Sequence, residues 1–217
     1  MKQIYCFLIF VMSSAALFLQ SNVVEISHYL FPGFTKGVIL LKGGTTYERL
    51  MNYNSLTEEM VFEDNGKRSA LAETFLDQVD TVFVGNRKFI LHKGHFIELI
   101  RHSAFDLFVE HKCRVNSPGK PAGYGGTSQT AAITSYSSLY SEGRFYELKL
   151  PEGYVVKPYL NYWLSRKGDF GFFASMKQLS NLYPGKKELF KAFVKQHEVE
   201  YGNPEQVLEL IEYLESN

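Results

Sequence analysis

The sequence predicts an α+β protein: a mostly antiparallel β meander or small barrel in the N-terminal half, then further strands, then a C-terminal cluster of two to three short helices packed on them. Three observations carry that expectation. Short apolar runs alternate with turn residues over 37–89, a two-residue alternation runs through 105–115, and beyond Ser175 the apolar residues recur at helical spacing.

The first part, 22–116, reads as β-rich. "GVILLKGG", "YERLMNYNS", "EEMVFEDNG" and "TVFVGNRKFI" follow one another, punctuated by Gly43–Gly44, Asn54–Ser55, Asn65–Gly66 and Gly85–Asn86. These residue types favour turns because they tolerate left-handed backbone or hydrogen-bond their own main chain. "ALAETFLDQVD" offers a helical turn or an irregular connection. In "FDLFVEHKCRV", Phe105, Leu107, Val109, His111, Cys113 and Val115 fall on one face and Asp106, Glu110, Lys112 and Arg114 on the other, with Phe108 as the exception. Such alternation predicts a strand with one face in a core.

Residues 117–143, "SPGKPAGYGGTSQTAAITSYSSLYSEG", carry five glycines, two prolines and twelve hydroxyl-bearing side chains with little aliphatic bulk. They read as a surface connection that doubles as a contact loop. Strands resume over 144–174. "RFYELKLPEG" alternates, and "YVVKPYLNYWLSRKGDFGFFAS" reads as two strands joined at Lys167–Gly168–Asp169, with Pro158 requiring an edge position or a bend. The helices occupy 175–217. Ser175 caps the first, over 176–182; Leu189, Phe190, Phe193 and Val194 form a stripe on the second, over 186–197. Asn203 and Pro204 start the third, whose apolar face is Val207, Leu208, Ile211 and Leu214. Helices this short need a docking surface.

The N-terminus reads "MKQIYCFLIFVMSSAALFLQS": a lysine, a short apolar core, then small residues. That order is the signature of a signal peptide, expected to span 1–21, with an uncleaved anchor as the rival because the apolar run continues weakly through Leu17, Phe18 and Leu19. Removal places the mature protein in the periplasm or outside the cell. A spanning helix wants about 20 apolar residues, and none is expected once the leader is removed. Cleavage would discard Cys6 and leave Cys113 alone, so no internal disulfide is expected. Lys+Arg and Asp+Glu both number 23, a balance that gives nucleic acid no basic footprint.

"GVILLKGG…LMNYNSLTEEMVF…VDTVFVGNRKF" and "YWLSRKGDF…SMKQLSNLYPGKKELFKAFVKQHEVEYGNPEQVLELIEYL" resemble the front half and the helical tail of uncharacterised exported proteins of Gram-negative gut bacteria, a domain of unknown function. The resemblance implies export and this order of parts, and carries no catalytic residue across.

The chemistry-bearing residues resist assignment to a reaction. "GYGGTS" lacks the Gly-Lys-Ser/Thr and the following helix of a phosphate loop. Ser117 and Lys120 have the Ser-x-x-Lys spacing, but Pro118 and Gly119 between them make a turn. His92, His95, His102 and His111 fall within twenty residues, yet a metal needs them to converge. Cys113, on an inner face, reads as a buried thiol, and nothing selects Glu58, Glu59 or Glu147 as a carboxylate pair. No catalytic set, metal or cofactor is expected. Aromatic residues make up 15% of the chain, and Tyr124, Tyr136, Tyr140 and Trp163 are the candidate contact residues, since exposed aromatics take sugars and peptide side chains. The expected function is a non-catalytic envelope module that binds a protein or glycan. The rivals are a hydrolase with Ser128 or Ser117 as nucleophile and His111 as base, and a structural component of a surface assembly.

Overall fold

The computed structural model describes residues 27–116, 146–147 and 149–217, with the backbone of 120–121 and 127–128. The leader expected over 1–21, the side chains of Ser117 and Ser128, and Tyr124, Tyr136 and Tyr140 lie outside the described residues.

Among the described residues twelve strands follow in chain order: β1 (Thr35–Leu41), β2 (Thr46–Asn54), β3 (Glu59–Asp64), β4 (Lys67–Ala70), β5 (Val79–Val84), β6 (Arg87–His92), β7 (His95–His102), β8 (Asp106–Asn116), β9 (Lys120–Pro121), β10 (Thr127–Ser128), β11 (Val155–Arg166) and β12 (Asp169–Phe173). Ten form one antiparallel sheet in the order β12-β11-β8-β7-β6-β5-β1-β2-β3-β4, and β9 and β10 pair as a ribbon inside the Gly/Ser-rich stretch. The helices are α1 (Glu73–Leu76), α2 (Met176–Asn181), α3 (Lys187–His197) and α4 (Pro204–Ser216). The α+β class stands, but the sheet dominates it more than the sequence suggests. The break at 117–143 does not divide the sheet, because β8 before it and β11 after it run paired from Val155 opposite Asn116 to Ser165 opposite Asp106.

Local chemistry sets the hairpins. Asn65–Gly66 and Lys167–Gly168 both have positive φ at each central residue, which matches a two-residue turn to the twist of its strands. At Pro158 the sheet obliges: Pro158 pairs with Cys113 on one side, and β12 reaches only as far as Tyr162 on the other, so no ladder bond is lost there.

The sheet curls so that β3 lies against β7. The Cys113 N–H donates to the Ser55 carbonyl at 2.9 Å, and Glu58 in the β2–β3 turn takes Lys112 at 2.6 Å and His95 at 3.4 Å. Upstream of β1, Leu30 N–H donates to the Tyr53 carbonyl and Ser55 N–H to the His28 carbonyl, prolonging the ladder along β2 past a break. The Asn52 side chain fills that break: its Oδ1 accepts from Phe31 N–H at 3.0 Å and its Nδ2 donates to the carbonyls of Phe31 and Gly33. Enclosed by the curl are Ile39, Met51, Tyr53, Met60, Val82 and Phe89.

The second core lies where the helices dock. Leu107, Val109, Tyr162, Leu164 and Phe173 from the sheet meet Leu179, Phe190, Val207, Leu210, Ile211 and Leu214. Each fully buried aliphatic side chain is worth about 1.5–3 kcal/mol against exposure. The caps act as the sequence predicts: Ser175 accepts from Gln178 N–H, and Asn203 from the N–H groups of Glu205 and Gln206. One expected strand is missing among the described residues. Tyr146, Glu147 and Lys149 of "RFYELKLPEG" are not in strand; the Tyr146 hydroxyl instead donates to Glu59 at 2.9 Å, and its carbonyl accepts from the Tyr29 hydroxyl.

Candidate functional site

Alternation along β11 sends Tyr162 and Leu164 to the helices and Trp163 to the opposite face. Of the candidate contact residues, Trp163 is the one that falls within the described residues. It stands in a cross-strand row with Phe108 on β8 and Phe172 on β12. The β6–β7 turn reaches this row. The His92 ring is 4.5 Å from that of Trp163 and stacks on Phe170 at 4.4 Å, while Lys93 Nζ lies 4.5 Å from the indole centroid. Phe172 leans on the indole at 4.9 Å, and Phe108 stacks with Phe170 at 5.7 Å. Lys93 over an indole face is a cation–π contact. Burial, then the neighbouring Lys93 charge, lowers the His92 pKa, so its imidazole is neutral near pH 7. Trp163 Nε1 and His92 Nε2 are both buried without a hydrogen-bond partner among the described residues.

This shelf adjoins a sheet edge. In a two-residue hairpin the flanking pair, here Arg166 and Asp169, exchanges both main-chain hydrogen bonds, and bonded pairs then alternate. Gly171 and Phe173 therefore direct their main-chain groups toward β11, and Phe170 and Phe172 direct theirs away. Ala174 follows the same rule, and its outward N–H is closed off by Gln178 Oε1 at 2.6 Å. Phe170 and Phe172 are 39% and 42% exposed. Sequence reasoning weighed His92 only as a metal ligand and missed Lys93, Phe170 and Phe172 as site residues. The alternating "DFGFF" after a two-residue turn was the available signal for the two phenylalanines.

The other candidates do not converge. His92 and His95 are cross-strand partners, but His92 turns to Trp163 and His95 to Glu58; His102 pairs with Asp106 at 2.5 Å. Among the described residues no group of three or more His, Cys, Asp and Glu side chains could hold a metal ion. Glu58 faces Lys112 while Glu59 accepts from Tyr146, so the two carboxylates serve different partners. Cys113 is buried, and its thiol is pushed up to about 12 by that burial and then by the Glu58 charge, which leaves no thiolate at neutral pH. His111 is held inside the fold by Glu98 at 2.6 Å.

No helix of the described residues is long and apolar enough to cross a membrane. No protein-family model, no curated protein and no solved structure matches the chain.

Proposed function

We propose that the chain is a non-catalytic binding module of the cell envelope, exported by its N-terminal segment, and that it captures a partner protein along the free edge of β12. The observation that carries this reading is the pair Phe170 and Phe172, whose side chains are exposed and whose main-chain groups point off the sheet. An extended segment added there gains ladder hydrogen bonds from the edge and lays alternate side chains on the shelf of Phe172, Trp163 and Phe170. Natural sheets guard such edges with charge, bulges or covering elements, and among the described residues none of these stands at the two phenylalanines of β12.

Charge supports a distinct partner over a second copy. Exposed Lys167 and Lys177 lie in sequence on either side of β12, and exposed Lys93 lies over the shelf, with Asp169 as the opposing charge. Two β12 edges paired antiparallel would set the Lys167 end of one against the Lys177 end of the other. An apolar segment flanked by Asp or Glu meets the cations instead. The aromatic shelf alone also suits a stacked sugar ring; the outward main-chain groups are what favour a protein. The leader, the periplasmic or extracellular address, membership in the exported gut-bacterial family and the reading of the curled end as a small half-open barrel belong to the same proposal.

Affinity capture from an envelope fraction tests it, using the wild-type chain and the Phe170→Lys/Phe172→Lys variant as parallel baits. Far-UV circular dichroism checks that both are folded. A protein retained by the wild type and lost from the variant supports the edge. Equal retention by both rejects it, and concentration-dependent dimers of the wild type alone would transfer the edge to the surface-assembly reading.

A further inference from the structure

The curl leaves a cavity of about 470 Å³ between the inner face of β1–β3 and the connection from β4 to α1. Its walls are chiefly Ile39, Phe62, Leu71 and Phe75, and the ring of Tyr47 stands edge-on to Phe75 across it at 6.2 Å. Among the described residues one cation, Arg49, sits in this mostly apolar lining. Arg49 is two residues along β2 from Tyr47 and Met51, so alternation places all three on the face that encloses the core. Its guanidinium donates from Nη1 to the Glu48 carbonyl at 2.8 Å and makes no ion pair among the described residues. Asp64, on the same lining, accepts from Asn65 Nδ2 at 3.1 Å and does not pair with Arg49.

A guanidinium presents five donors in a planar fork that matches a carboxylate. Arg49 has most of that fork uncommitted, at the rim of an aromatic and aliphatic cavity of the size that small ligands occupy in β-barrel mouths. We propose that this cavity binds a small amphiphile with a single carboxylate, its apolar body between Tyr47, Phe62 and Phe75 and its head on Arg49. The site is remote from β12 in the strand order and stands independently of the partner proposed there.

Calorimetric titration of the full chain with decanoate, decanol and decyltrimethylammonium, each below its micellar concentration, separates head from tail. The expected result is saturable one-to-one binding of decanoate, weaker binding of decanol, and the weakest binding for the cation. Arg49→Gln should weaken decanoate about tenfold, the scale of a lost charge-assisted hydrogen bond, and leave decanol unchanged. Phe62→Ala should weaken both. The proposal is overturned if decanoate shows no saturable binding, if the three head groups bind alike, or if Arg49→Gln binds decanoate as the wild type does.

Discussion

The Nε2 of His111 on β8 lies 2.6 Å from Glu98 Oε2 on β7, and the same carboxylate takes the Arg87 guanidinium through both of its oxygens. Burial works against the Glu98 charge, but hydrogen bonds from Arg87 and His111 overcome it and hold the carboxyl below its ordinary value. An ionised Glu98 only accepts, so the imidazole donates through Nε2. Arg87 Nη2, 2.9 Å from that nitrogen, is then a second donor to the same oxygen rather than a partner of the ring. The guanidinium also lies over the rings of Phe31 and Phe89, at 5.2 Å and 5.8 Å from their centroids.

Replacing Glu98 by Gln keeps the shape and strands a partly buried cation. Removing one member of a buried ion pair costs about 3–5 kcal/mol, and the quarter-exposed Arg87 side chain places this case near the lower end. Urea unfolding of Glu98→Gln should show a lower midpoint at unchanged slope. A loss below about 0.5 kcal/mol would mean that the network is not a stabilising element.

The same network gives stability a direction with pH. Burial lowers the His111 pKa from 6.5 and the Arg87 charge adds to this, with the Glu98 carboxylate opposing. The unfolded chain therefore takes up a proton at its ordinary imidazole value while the folded chain does not. Stability is whole above about 6.5 and is lost as pH falls through the window between the unfolded and folded values. Glu98, also lowered, loses its contribution as pH falls below the ordinary carboxyl value of 4.5, so the two effects have the same sign. The urea midpoint should drop between pH 7.5 and pH 5, and His111→Gln should flatten that drop. A midpoint that rises on acidification contradicts the assignment.

Gly37 on β1 is a packing requirement. A Cβ there would meet the Phe83 carbonyl oxygen at 2.5 Å and Met51 Sδ at 2.6 Å. The methionine can move, but the carbonyl belongs to β5, so Gly37→Ala must separate a central strand pair. Overpacking of this kind costs about 1–3 kcal/mol. Gly43→Ala, with nothing within 4 Å, is the control and should be near neutral. Thermal denaturation of the two variants measures the contrast, and equal melting temperatures would refute the close approach.

Elements whose signals are local could be read from the sequence. Asn203 before Pro204 marks the start of α4, and the alternation of Leu107 and Val109 marks β8, because cap and pleat act within a few residues. Lys67–Ala70 escaped, being short and polar, although the Asn65–Gly66 turn demands a returning strand. Sheet order is a different matter. The pairing of β1 with β5 closes a loop across three other strands, and no local pattern encodes it. For that reason Phe170 and Phe172 could be placed on a strand but not on an edge. Arg87, Glu98 and His111, on three strands, carry no joint signature at all.

The docking of the tail rests on two tyrosines as well as on the core. Tyr162 on β11 donates its hydroxyl to the Tyr201 carbonyl at 2.8 Å, and the Tyr201 hydroxyl, just before α4, donates to the Leu160 carbonyl at 3.0 Å. The rings meet edge to face at 5.2 Å. Burial pushes both phenols above their ordinary range, so each remains a donor. Tyr201→Phe and Tyr162→Phe should each cost about 1 kcal/mol, since each takes a hydroxyl donor from a main-chain carbonyl. The loss should be regional. Hydrogen exchange in α3 and α4 should quicken in both variants while β1–β3 keep their protection, since the two cores are made of different residues. Uniform acceleration across the sheet would show instead that tail and sheet unfold as one unit.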